Sequence, residues 1–211
     1  MPMRYLKPRV FNLDFRNVAV WGYWSGCAEY MPGTSRAGAP YFETLTNGSG
    51  WAWIIPVNLK YTDQPGTASV GVIMKQEIAD MRRKNNVDAK SLSVQDHYLQ
   101  NLDLGPGLKT MLEDAELLRP EGEPLIRSAS DYSYSAQPYA GMYYRLVGDA
   151  GAFIDPYFSS GVHLALLNDL SAAATICAFM RGECEEPEAA KWHSTSRSDI
   201  YQIPNRRQKR I

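Results

Sequence analysis

Cysteine and histidine are both scarce in this chain, with three residues of each among 211. Cys27, Cys177 and Cys184 are odd in number and form no Cys-x-x-Cys, which argues against a disulfide framework or a zinc site. His97, His163 and His193 lie too far apart for a local metal motif, so no metal ligand is assigned. Charge of one sign is missing as well: 22 basic residues stand against 23 acidic ones, which leaves no electrostatic footprint for nucleic acid. No uncharged apolar run reaches the roughly 18 residues of a membrane span, and the opening Met-Pro-Met-Arg-Tyr-Leu-Lys-Pro lacks the apolar core of a signal peptide. These absences lead to the expectation of a cytoplasmic protein without a nucleic-acid or membrane partner. Also lacking is any Gly-x-Gly-x-x-Gly turn. The nearest cluster, Leu104-Gly105-Pro106-Gly107, has the wrong spacing and a proline where a phosphate-binding amide is needed.

What is present suits a packed domain: 45% hydrophobic residues, five Trp and thirteen Tyr. Aromatic and β-branched content predicts strands over 17–24, 51–58 and 68–75. Between the first two, Pro32-Gly33, Gly38, Pro40 and Asn47-Gly48 punctuate a loop, within which 41–45 suits a short edge strand. Turn chemistry over 61–66 predicts a hairpin-like connection, and the whole reads as an antiparallel sheet. Helices are expected over 76–83, 93–102 and 107–118, a strand over 124–135, and a last helix over 187–196 with Pro187 in its first turn. The tail from Asn205 to Arg210 reads as a solvated charge run.

The run Gly148 to His163 carries the densest chemistry. A strand-like lead-in, 142–147, meets Gly-Asp, and an apolar helix begins near Ser160 and continues to about Met180. Gly151 and Gly161 permit close backbone approach, Pro156 stiffens the turn, and Ser159 or Ser160 could cap a helix whose free N–H groups favour an anion. Asp149 suits a turn aspartate or an acceptor for sugar hydroxyls. His163 suits a satisfied core histidine better than a ligand contact. Trp51 and Trp53, two residues apart on one strand, suit sheet aromatics sharing a face. Tyr132, Tyr134 and Tyr139 fit either a pocket wall or a packed sheet. The helix over 162–180, with Asp169 as its one charge, reads as a buried packing helix.

The spacing Phe153-x-x-Pro156-x-x-Ser159-x-Gly161 and the segment Trp51-Ala52-Trp53-Ile54-Ile55-Pro56 resemble the two signature motifs of flavin-dependent halogenases, Fx.Px.Sx.G and WxWxIP. Residues 19–24, 130–135 and 148–166 are similar to the fungal, phenol-directed branch, so the resemblance covers most of residues 17 to 195. It implies an α/β, mixed α+β chain: the C-terminal half of a flavin-monooxygenase-like fold. Residues 1–125 would form the antiparallel substrate-domain sheet with covering helices, 126–181 the closing part of the FAD-binding layer, and 182–211 a C-terminal helix and basic tail. The implied activity is chlorination of a phenolic or polyketide-derived aromatic, free or carrier-tethered, using reduced FAD, O2 and chloride or bromide. A separate flavin reductase would supply the reduced cofactor. By the same resemblance Trp51 and Trp53 form a barrier between flavin and substrate. Gly148, Asp149, Pro156, Gly161 and Val162 would contact the cofactor, and Ser159, Ser160 and Gly161 the halide. The family's glycine fingerprint and catalytic lysine have no counterpart; Lys7 precedes Trp51 but lacks the family's surroundings. Phe158 stands where the tryptophan-directed branch has glutamate, which favours an activated ring such as a phenol. Two alternatives accompany this reading: a flavin-dependent aromatic hydroxylase, and a non-catalytic remnant or partner-dependent half.

Overall fold

The alternation of large and small side chains in the strands builds a sheet with two different faces. The computed structural model describes residues 10–11, 16–57, 66–85, 93–119, 122–130, 133–135 and 138–208. In chain order its elements are β1 (Val10–Phe11), β2 (Asn17–Ser25), β3 (Tyr41–Thr44), β4 (Gly50–Pro56), β5 (Ala68–Lys75), α1 (Gln76–Asn85), α2 (Val94–Leu102) and α3 (Pro106–Met111). They continue with β6 (Glu116–Leu117), β7 (Arg127–Ser130), β8 (Tyr134–Ser135), β9 (Ala140–Gly141), β10 (Tyr144–Arg145), β11 (Ala152–Phe153), α4 (Gly161–Met180) and α5 (Glu186–Gln208). The chain divides into two units, Asn17–Ser130 and Met1–Arg16 with Asp131–Ile211.

In the first unit, six antiparallel strands run in the order β3-β4-β5-β2-β6, with β7 also paired to β2. The expected strands at 17–24, 51–58 and 68–75 are thus present, and β3 is the expected edge strand. One face gathers Ala52, Ile54, Val70, Val72 and Met74 with Tyr98 and Leu102 of α2 and Leu108 of α3 into a continuous core. Each such large apolar side chain, fully buried, contributes about 1.5–3 kcal/mol. Polar ties anchor the covering helices. Tyr98, wholly buried, receives the Trp24 indole N–H at 2.8 Å and donates to Val70 O at 3.0 Å. Ser93 caps α2 in a reciprocal box with Asp96. Glu43 on β3 accepts the first-turn N–H groups of α3 from Gly107 at 3.2 Å and Leu108 at 2.6 Å, replacing the missing side-chain cap.

Three expectations are corrected here. The helix expected over 107–118 ends at Met111, because Glu116 and Leu117 are drawn into the sheet opposite Ser25 and Trp24. The strand expected over 124–135 is two strands in different sheets: β7 pairs with β2, whereas β8 pairs with β1 and β11. Residues 127–130, read as part of the return segment, therefore lie in the large sheet, and Val10–Phe11, read with the substrate sheet, pair outside it. The connection expected over 61–66 and the residues Lys7 and Tyr132 fall largely or wholly outside the described residues.

The second unit is built around α4 and α5, which pack on each other and on the segment from β9 to Phe153. Its apolar centre gathers Tyr139, Ala152, Ile154 and Leu164. A buried ion pair fastens its start: Arg145 meets Glu186 in a two-pronged contact at 2.9 and 3.2 Å, and Glu186 also accepts the Tyr143 N–H at 2.9 Å. The lead-in expected to be a strand over 142–147 is reduced to the two residues of β10, paired with β9. The last helix, expected over 187–196, runs from Glu186 to Gln208.

The reading of the 162–180 helix as buried is also overturned. Leu166, Leu170 and Met180 are 66%, 68% and 77% exposed, while the buried side chains are Leu164, Asn168, Ser171, Ala172 and Thr175. Spacings of three and four residues place Val162, Leu166, Leu170, Cys177 and Met180 on one stripe and the buried set on the opposite side. Large apolar groups face outward and mostly small or polar ones inward. By length and composition α4 is apolar enough to cross a membrane, and the stripe shows where that apolarity lies.

Candidate functional site

The two motif regions lie in different units. On the sheet face opposite the helices, the register aligns Phe42, Trp53, Gly71, Trp21 and Arg127 across five strands, with Trp51 and Ile73 in the next row. Trp51 and Trp53 have ring centres 5.5 Å apart, and Phe42 meets Trp51 edge-on at 5.9 Å. The expected shared face is therefore observed. Trp53 is held by its indole N–H donating to Ser69 Oγ at 3.2 Å. It lies across Gly71, where a Cβ would collide with the indole. At the far end the Arg127 guanidinium sits 5.2 Å from the Tyr23 ring centre and pairs with Glu123 at 3.0 Å. An aromatic wall results.

In the other unit, Val147 leads into a 3₁₀ turn, Gly148–Ala150, with Gly148 at φ 54°. The Tyr134 hydroxyl donates to the Asp149 carbonyl at 2.5 Å, and the Tyr134 and Phe153 rings stack at 6.3 Å. Tyr134 thus braces the turn, whereas Tyr139 is a core residue only 1% exposed. The turn packs on the start of α4, where a Cβ at Gly148 would come 3.6 Å from the Ala165 methyl. The Asp149 carboxylate lies on an exposed residue. Next, Asp155 caps a second 3₁₀ turn, Pro156–Phe158, accepting the Tyr157 N–H at 3.0 Å.

Ser159 then adopts the left-handed conformation, φ 51°, and Ser160 precedes the first helical residue. The expectation that either serine caps α4 through its side chain is not met: Ser160 makes no capping hydrogen bond. Its Oγ is buried without a hydrogen-bond partner among the described residues. The first turn of α4 therefore presents unclaimed backbone N–H groups beside a hydroxyl in search of a partner, an arrangement suited to a small anion. Gly161 and Val162 are exposed, and so is His163, which is not the core histidine expected.

The buried histidine is His193, together with Arg197, one turn further along α5. Neither was singled out as a site residue from sequence. Their separation of four residues, which puts both on one helix face, was the available signal. No cluster of His, Cys, Asp or Glu that could hold a metal occurs among the described residues.

No family-level sequence profile matches the chain. It is 48% identical over 208 residues to the flavin-dependent halogenase armH3 of Armillaria mellea, covering 95% of this chain and 39% of that protein. It is 48% identical over 198 residues to the sulochrin halogenase gedL of Aspergillus terreus, covering 94% of this chain and 34% of the other. Among solved structures, the myxobacterial chondrochloren halogenase CndH superposes with a TM-score of 0.71 at 29% identity, over 95% of this chain and 43% of that one. The flavin-dependent halogenase CmlS gives 0.66 at 27%, over 92% and 31%. The chain thus spans about two fifths of the length of the curated relatives it matches.

Proposed function

We propose that this chain, the counterpart of the C-terminal portion of fungal flavin-dependent halogenases, supplies the halide site, part of the flavin site and the aromatic wall of an FAD-dependent aromatic halogenase. The observation that carries the reading is the start of α4, where unclaimed N–H groups and the unpartnered Ser160 hydroxyl coincide with the matched Ser159-x-Gly161 spacing. The residues fit the group. Gly148 seats the turn against α4, Asp149 offers a carboxylate to a ribose or ribityl hydroxyl, Pro156 opens the second 3₁₀ turn, and Gly161 and Val162 begin α4. Bound reduced FAD would supply the activation of O2 that oxidises chloride or bromide. The chain's own residues hold the halide by backbone N–H groups and the Ser160 hydroxyl, while Trp51 and Trp53 keep the aromatic acceptor apart from the flavin. The proposed acceptor is a phenolic or polyketide-derived ring, free or carrier-borne. A separate reductase delivers reduced FAD, and the reaction takes place in the cytoplasm.

A bromide titration of the FAD-bound chain, followed by the flavin visible spectrum, tests the halide site. Saturable perturbation in the unaltered chain that is weakened in Ser160→Ala supports it; a spectrum insensitive to halide sinks it.

The outward apolar stripe of α4 favours a second reading, in which the chain works as a partner-dependent half. Co-expression with a polypeptide corresponding to the remaining portion of a fungal halogenase tests this, with halogenated phenol read by mass spectrometry. Product formed only by the pair supports it; product formed by the chain alone removes it.

A further inference from the structure

Leu146 and Gly148 each direct a carbonyl oxygen toward a single side chain of α5. Arg197, fully buried, donates from Nη1 to Leu146 O and from Nη2 to Gly148 O, the latter at 2.6 Å. Its guanidinium carbon lies 4.7 Å from the centre of the Tyr139 ring. His193, also fully buried, places Nε2 3.2 Å from the same Leu146 O and Nδ1 2.8 Å from Ser171 Oγ on α4. A carbonyl only accepts, so Nε2 carries the proton and Nδ1 accepts from the serine hydroxyl. Burial, aided by Arg197 and Arg145, holds this imidazole below its ordinary pKa, which keeps that tautomer neutral.

The backbone is shaped around this pair. Gly148 takes a positive φ of 54°, and Gly151 lacks a side chain where a Cβ would come 2.6 Å from Arg197 Nη2. A planar guanidinium suits two carbonyls two residues apart, which a lysine cannot bridge in the same way. We propose that His193 and Arg197 are positioning residues: they hold the carbonyls on either side of Val147 and so set the direction in which Gly148 delivers Asp149 toward a bound flavin nucleotide. This rests on the reading of Gly148–Asp149 as a flavin contact. Tyr134 grips the Asp149 carbonyl as well, so the turn is fixed at Leu146, Gly148 and Asp149 while the carboxylate stays at the surface.

FAD titration of the 211-residue chain, read by flavin fluorescence and visible spectrum, tests the assignment through variants of both kinds. Asp149→Asn and Arg197→Met are each expected to weaken FAD binding about tenfold. Their combination is expected to weaken it no more than either alone, because Arg197 acts through Asp149. His193→Gln, which keeps a donor for Leu146, retains the affinity that His193→Leu loses. Glu186→Gln breaks an equally buried tie, so it lowers the melting temperature and leaves FAD affinity unchanged. If Arg197→Met does not fold, Arg197→Lys replaces it, with a smaller loss. Unchanged affinity in the Arg197 variants and in His193→Leu, or additive losses with Asp149→Asn, overturns the positioning role alone. No FAD binding by the unaltered chain even when it is paired with a polypeptide corresponding to the remaining portion of a fungal halogenase, or binding indifferent to Asp149→Asn, overturns the flavin-contact reading and the positioning role with it.

Discussion

The Trp53 indole occupies the space that a side chain at Gly71 would need, on the strand next to its own. The tryptophan motif is thus complete only together with a glycine 18 residues downstream. Gly71→Ala is expected to cost about 1–3 kcal/mol through forced repacking. Denaturant midpoints would register the loss, and near-UV circular dichroism would report displacement of the indole. Unchanged values for both would mean that the wall is softer than its packing suggests.

Ser160→Ala separates stability from binding. Removing a buried hydroxyl without a partner relieves a desolvation cost, so the variant is expected to be more stable by about 1 kcal/mol. Halide affinity moves the other way. Thermal melting with and without bromide reads both effects, and a destabilised variant would show that the hydroxyl has a structural partner.

Acid should act on the second unit in two stages. His193 has a folded pKa below its ordinary 6.5 because of burial, so the unfolded chain binds the proton first. Stability is therefore full above pH 6.5 and falls as pH drops from there toward the depressed folded value. Glu186 is held below its ordinary 4.5 by the Arg145 guanidinium first and the Tyr143 N–H next; its contribution is present above pH 4.5 and lost below it. Urea midpoints between pH 8 and about 2.5 check both stages. His193→Gln should abolish the upper one and leave the lower.

Cysteine labelling should distinguish the faces of the fold. Cys177 is exposed on the apolar stripe of α4, while burial pushes the Cys27 thiol up to about 11. Iodoacetamide at neutral pH is expected to modify Cys177 well before Cys27. Addition of a polypeptide that covers α4 should protect Cys177. At concentrations well above those used for labelling, the chain alone should self-associate, and Leu166→Lys combined with Leu170→Lys should disperse it.

The large strands and most helix starts were legible because their signals are local. β-branched and aromatic runs marked β2, β4 and β5, and amphipathic spacing marked the helix over 93–102. What escaped depends on distant partners. Residues 116–117 look helical in isolation, yet pair with Ser25 and Trp24. The Ser194-Thr195-Ser196 run looks like the end of a helix, but α5 continues through it and past Pro204, held where His193 and Arg197 are buried against Leu146 and Gly148. The motif residues of the candidate site were singled out by resemblance. Tyr134 was named only as a pocket wall or sheet aromatic, and the other supports, Ser69, Gly71, His193 and Arg197, were not singled out, because a bracing contact leaves no mark in the braced segment.

The inside-out arrangement of α4 also bears on how long this chain survives in a cell. Proteases and chaperones recognise exposed apolar surface as a sign of failed folding. With its leucines outward, α4 carries that sign even when every hydrogen bond of the unit is in place. Steady-state abundance should then follow the supply of whatever shields the stripe more closely than the unit's intrinsic stability.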